Sequence, residues 1–348
     1  DSDSVINTAM NYTAHNFYLK SNDTLKTQFG MSYTIREDRS PSEGSLSVSD
    51  ESKTANFFIR SSFNANQDLN VLFTYRNNRN YLATAGDENE ETIISRVDWF
   101  ARFLKNHIRS DLSYAVGNGR ELKREFVFIQ AATGEGTHTW RDDNGDGVQD
   151  LNEFYLAINP DERNFIKIFV PTSEFVFAYE NNYNHRLNLE MPRSWKDKGG
   201  MKQFLSKFSN VTSFSMIKRI TNSDLLARFL PFYHNIPEGD ILSIRESVRT
   251  RLFYNRANTG FSFDFGFIST GNKQLLTNGF DERHREEFSS NVRINLSRFY
   301  NLRILGARGF SASSSDFLNG RNYKINHHKV APELSWQPNN NFRTTLQY

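Results

Sequence analysis

The feature that most constrains this chain is alternation. Apolar and polar residues exchange places at every step over runs of about ten residues, and such runs recur along the whole sequence. In residues 260–267, GFSFDFGF, four phenylalanines fall on every second position with serine, aspartate and glycine between them. Leu69, Val71, Phe73 and Tyr75 oppose Asn70, Thr74 and Arg76, and Val97, Trp99, Ala101 and Phe103 oppose Arg96, Asp98 and Arg102. Val248, Leu252 and Tyr254 oppose Arg249 and Arg251; Val292, Ile294 and Leu296 oppose Asn291, Arg293 and Asn295. Successive side chains of a strand point to opposite faces, so each run predicts a strand with one apolar and one wet face.

About sixteen strands follow, at residues 6–19, 25–36, 54–64, 69–79, 92–104, 111–117, 122–131, 174–190, 204–218, 225–233, 241–254, 260–269, 286–297, 302–310, 324–336 and 342–348. Many exceed the roughly five to six residues usual in globular sheets and match the ~9–11 with which a tilted strand crosses a bilayer. The connections alternate in length. Short turns fall at 21–23, 64–68, 255–258, 298–301 and 337–341, and long polar loops at 37–53, 80–91, 270–285 and 311–321. Up-and-down transmembrane barrels have this rhythm. Tyr254, Phe299, Tyr300, Trp336 and Phe342 gather at the short turns, as aromatic rings do at a membrane interface.

Composition narrows the alternatives. Hydrophobic residues are only 37% of the 348, and mean hydropathy is −0.64, so no run approaches the ~20 apolar residues of a spanning helix. Yet 31 Phe and 14 Tyr are too many for a disordered polar chain. The 42 basic and 40 acidic residues are dispersed, which gives nucleic-acid binding no support. The absence of cysteine excludes disulfides and thiolate chemistry. A start at Asp1 reads as a mature exported chain or a fragment.

The strongest local motif is DDNGDGVQDLNE, residues 142–153. With Asp142 as position one, Asn144, Asp146, Val148, Asp150 and Glu153 take positions three, five, seven, nine and twelve, with Gly147 at six. That is the ligand spacing of an EF-hand calcium loop, in which hard oxygen donors alternate and glycine makes the bend. Gln149 replaces the usual aliphatic at eight and neither flank reads as an amphipathic helix, so the expected ion is structural rather than a switch. An acidic turn without metal is the bland alternative.

The alternating pattern resembles bacterial outer-membrane β-barrels. The block at 134–154, GEGTHTWRDDNGDGVQDLNEF, continuing to 165–172, FIKIFVPT, is similar to one in large outer-membrane proteins of the Bacteroidota, which carries no established activity with it. The expected fold is therefore all-β, an antiparallel up-and-down transmembrane β-barrel or a large part of one. Residues 1–131 form its first part, 132–173 an insertion holding the calcium loop, and 174–348 its second part. An Asn-Gly hairpin at Gly117-Asn118-Gly119 would put the insertion at the short-turn, periplasmic end; one continuous strand there would put it at the other.

Arg60, Arg76, Arg96, Asp98, Arg102, Arg249, Arg251, Asp264, Arg293 and Arg303 are the expected lumen-facing residues. They suit an anion-attracting channel or, more simply, pairs across the lumen. His327 and His328 are adjacent on a strand and cannot share a metal. No nucleophile elbow, metalloprotease helix or phosphate loop is present, so no enzyme is expected, a lipase-like activity being the enzymatic alternative. The functional expectation is a subunit or scaffold of a larger outer-membrane complex for secretion, assembly or nutrient capture, with membrane lipid and other outer-membrane or periplasmic proteins as partners. The alternatives are a porin-like channel for polar or anionic solutes and a secreted, soluble β-rich binding protein.

Overall fold

The computed structural model describes residues 6, 8–42, 44–82, 89–276, 279–316 and 322–348, without the side chains of 123, 124 and 174. Its strands are β1 (Asn11–Lys20), β2 (Thr27–Ser42), β3 (Ser45–Asn64), β4 (Gln67–Asn80), β5 (Asn89–Phe103), β6 (Ile108–Gln130), β7 (His138–Trp140), β8 (Phe154–Leu156), β9 (Phe165–Glu190), β10 (Phe208–Ile220), β11 (Ile241–Tyr254), β12 (Phe261–Leu276), β13 (Gly279–Asn295), β14 (Tyr300–Ser315), β15 (Tyr323–Asn339) and β16 (Phe342–Gln347). Fourteen of them form one antiparallel sheet in chain order, β1 to β6 and then β9 to β16. The short strands β7 and β8 pair with each other beside the path, and β7 also touches β9. Among the described residues, β1 and β16 are the edges, each paired on one side only.

The register carries the alternation across the sheet. Gln28, Arg60, Asn70, Asp98, Ser113, Asn184, Ser215, Ser247, Thr270, Arg285 and Ser311 lie opposite one another, strand by strand, as one polar row on one face. All eleven border a single cavity of about 1590 Å³, so the sheet curls around this face and makes it concave. The convex face carries Phe29, Phe57, Val71, Trp99, Leu187, Leu252, Phe263, Val292, Ile304 and Leu334 in the part of each strand nearest the short turns. Toward the other end the same face turns polar, with Lys53, Asn77, Lys273, His284 and Glu286. Gly266 on the concave face lets the Ser289 side chain cross; an added Cβ would lie 2.6 Å from Ser289 Oγ.

Three expectations need correction. The stretches at 37–53 and 270–285 are not long loops: β2 runs to Ser42 and β3 starts at Ser45, while β12 runs to Leu276 and β13 starts at Gly279. The ladder outlasts the apolar pattern because its bonds belong to the backbone, while side chains on one face pair two residues apart along the strand. Arg36 lies 2.7 Å from Asp38, Lys53 2.8 Å from Glu51 and Arg285 2.8 Å from Glu287. Of the 80–91 and 311–321 loops, residues 83–88 and 317–321 lie outside the described residues.

Second, residues 225–233 are not a strand. Asp224 caps a short helix, α1 (Leu225–Phe229), by accepting from the Leu226 N–H at 3.2 Å, and Pro231 follows its end. Third, Gly117-Asn118-Gly119 is not a turn. Neither glycine has the positive φ that such a hairpin requires, and the Asn118 side chain bonds the Ile93 N–H and the Glu91 carbonyl of β5 as a peptide group would. The chain continues as β6, so the insertion lies at the end opposite the short turns.

Candidate functional site

The insertion stands on an arm. Beyond Leu122 on β6 and Phe175 on β9 the two strands pair only with each other in the sheet, down to Gln130 opposite Phe165. At ~3.4 Å per residue that ribbon rises roughly 30 Å past its neighbours. An isolated two-stranded ribbon is marginal in water. Here it is packed by rings: Phe128 stacks on Phe154 at 4.1 Å, Phe154 meets Phe165 at 5.0 Å, and His138 lies edge-on to Phe128 at 4.9 Å. Burial, and secondarily the Lys167 charge, holds the His138 pKa below its ordinary value. Val148, Leu151, Leu156 and Ile158 remain exposed on the insertion.

The six expected calcium ligands all lie in the connection between β7 and β8. Gly145 and Gly147 have φ of 74° and 71°, the bend that a glycine at position six supplies. They fold the loop over Asp142, whose carboxylate accepts from the Gly145 N–H at 2.7 Å and the Gly147 N–H at 2.9 Å. Asn144 accepts from the Asp146 N–H and donates to Asp146 Oδ2, each at 2.9 Å, while Asp146 Oδ1 accepts from the Val148 N–H at 2.7 Å. Asp150 and Glu153 form a reciprocal capping box. Glu153 is buried and accepts from Trp140 Nε1 at 2.9 Å and the Asp143 N–H at 3.2 Å. Asp143, which the motif did not single out, accepts from the Tyr155 hydroxyl, a bond that raises the Tyr155 pKa. Among the described residues, no three His, Asp or Glu groups are gathered around one point. The oxygen donor set and the bend suit a hard cation, but Glu153 is turned toward Trp140.

The ten arginines and aspartates expected to face inward all lie on the concave face. The structure brings Arg96 and Asp98 into an ion pair at 2.8 Å. Arg293 and Arg303 are direct cross-strand partners, and Arg102 stands over the Phe100 ring at 4.7 Å. Arg60 covers Phe58 in the same way at 5.4 Å. His327 bonds Glu287 at 3.1 Å, and that contact with Arg285 holds the Glu287 carboxyl on the concave side as an ion-pair acceptor.

The chain matches no protein-family model and no curated protein.

One element escaped the sequence reading. Residues 221–240, between β10 and β11, fold back over the convex face as a strap. Lys218 is fully buried beneath it and donates to the Leu230 carbonyl at 2.7 Å and the Tyr233 carbonyl at 3.4 Å. Asn181, also fully buried, donates to the Arg228 carbonyl at 2.6 Å, and the Tyr114 hydroxyl donates to that of Phe229. Phe232 packs on Tyr183 and Phe214, each at 5.1 Å. The signal was present: a lysine and an asparagine at apolar-face positions of β10 and β9 require polar partners when buried.

Proposed function

We propose that the chain forms the wall of a transmembrane β-barrel in a bacterial outer membrane and serves there as a scaffold subunit of a larger complex. The arm carries this reading: an ordered ribbon capped by a packed insertion that exposes Val148, Leu151, Leu156 and Ile158. Diffusion through a pore needs no such projection, whereas docking a partner does. The membrane part rests on the convex face, apolar beside the short turns, against a concave face lined by polar residues. In lipid every backbone group must be paired, so the edges β1 and β16 would close on each other or on further strands.

Calcium held by Asp142, Asn144, Asp146, the Val148 carbonyl, Asp150 and Glu153 would stiffen the tip of the arm. Glu153 would leave Trp140 to complete the set. The ion's chemistry here is charge neutralisation among carboxylates.

The test is purification from detergent-solubilised membranes of the intact chain and of one with 131–164 replaced by a tight turn. Proteins that accompany the first and not the second support the scaffold. A chain that purifies alone and carries steady current in planar bilayers establishes instead the second reading, a channel for polar or anionic solutes, which the arginines on the cavity wall favour. Recovery without detergent in the aqueous phase would refute the membrane reading.

A further inference from the structure

A second cavity, of about 420 Å³, opens on the concave face beside the short turns of β11 to β16. Arg256, Arg293, Arg303 and Arg343 line it together with Asp264 and Glu333, so guanidinium groups outnumber carboxylates by two. Such an excess on neighbouring strands is unfavourable by itself. Arg293 and Arg303 are direct cross-strand partners on one face, where like charges repel.

Their hydrogen bonds run to neutral groups. Arg293 Nε donates to Ser262 Oγ at 3.2 Å, and Arg303 Nε to Asn291 Oδ1 at 2.9 Å. Arg343 Nη2 reaches Ser335 Oγ at 3.2 Å, while the Arg256 guanidinium rests 4.4 Å from the Phe253 ring centroid. Asp264 accepts from the Asn291 amide at 2.8 Å. The wall thus grips Arg293 and Arg303 by their Nε–H groups, and among the described residues no hydrogen bond or ion pair takes up their terminal nitrogens beside the cavity both residues line. A planar fork of this kind matches an oxyanion, and two forks held in place match one better than free side chains do.

The geometry points to an anion-binding site here, with Arg293 and Arg303 as its paired clamp and a small dianionic oxyanion of the phosphate type as its ligand. The anion offsets the repulsion between the two arginines, and Arg343 and Arg256 close the cavity around it. Glu333, directly opposite Arg303, competes with the ligand for that guanidinium. The site goes beyond the scaffold reading and holds whether or not the arm docks a partner.

The experiment uses the whole chain in detergent and compares inorganic phosphate with potassium chloride at equal ionic strength, by thermal unfolding and by calorimetry. Phosphate is expected to raise the unfolding midpoint saturably where chloride does not. Arg293→Gln and Arg303→Gln should each weaken phosphate binding at least about tenfold. Glu333→Gln should strengthen it, and Arg249→Gln, higher on the same face and outside this cavity, should leave it unchanged. If either clamp variant fails to fold, Arg343→Gln, whose side chain among the described residues bonds Ser335, reads the same loss in part. Equal responses to phosphate and chloride would overturn the proposal, as would an Arg249→Gln loss as large as that of Arg293→Gln.

Discussion

Replacing Phe263 with arginine separates a convex face in contact with lipid from one in contact with water. Phe261 to Phe267 form the apolar band of β12, ~20 Å long at ~3.4 Å per residue, and Phe263 lies one residue from its middle. Its cross-strand partners on that face are Tyr254 and Val292. Against acyl chains a guanidinium there costs about 2–4 kcal/mol, the value for arginine near a bilayer midplane. Asp264→Asn, one residue along, changes the concave face and keeps an Oδ1 acceptor for the Asn291 amide. A cost within ~0.5 kcal/mol is expected for it. The assay is urea titration of chain folded into phospholipid vesicles, with Phe263→Leu as the control for lost ring volume. Tolerance of Phe263→Arg at the level of Asp264→Asn would refute the membrane argument, since in water an arginine on that face could stay hydrated.

Lys218→Ala should release the strap, because the Leu230 and Tyr233 carbonyls lose their buried donor, at a cost of ~1–3 kcal/mol; limited proteolysis should then cut within 221–240. Calcium should protect the arm tip from proteolysis and chelator should reverse it, with Asp142→Ala insensitive to both; protection that is identical in Asp142→Ala would remove the ion from the argument. The insertion should loosen in acid. Because burial depresses the folded pKa of His138, its contribution is complete above the unfolded value near 6.5 and is lost as pH falls through the lower folded one. Tryptophan emission from Trp140, titrated between about pH 7 and 4, should show this, and His138→Phe should flatten the change in that window.

Most strands were legible because an apolar face and a wet face impose a period of two that local sequence displays directly. Their upper halves were not: where both faces are polar, as in 37–42 and 270–274, the ladder leaves no hydrophobic trace. The failure at Gly117-Asn118-Gly119 has another source. An Asn-Gly pair favours a turn locally, yet here the asparagine side chain found backbone partners on β5, far away in sequence. Residues 117–119 also continue the ladder with β9, and the parity of every later strand follows from that continuity, as does the end at which the insertion stands. The loop at 142–153 was visible in residue spacing; the turn of Glu153 toward Trp140 was not, because Trp140 lies across a hairpin from it.

The sequence by itself determined that this chain is a succession of long amphipathic strands with an acidic, glycine-bent loop near its middle, since strand periodicity and turn chemistry act between near neighbours. Only the tertiary structure decided what those faces meet. The register of β13 on β14 set Arg293 against Arg303, the ribbon of β6 and β9 raised the insertion, and the strap gave Lys218 its partners. Each depends on register or on contacts between residues distant in the chain, where cross-strand pairing and burial rather than local preference settle the outcome.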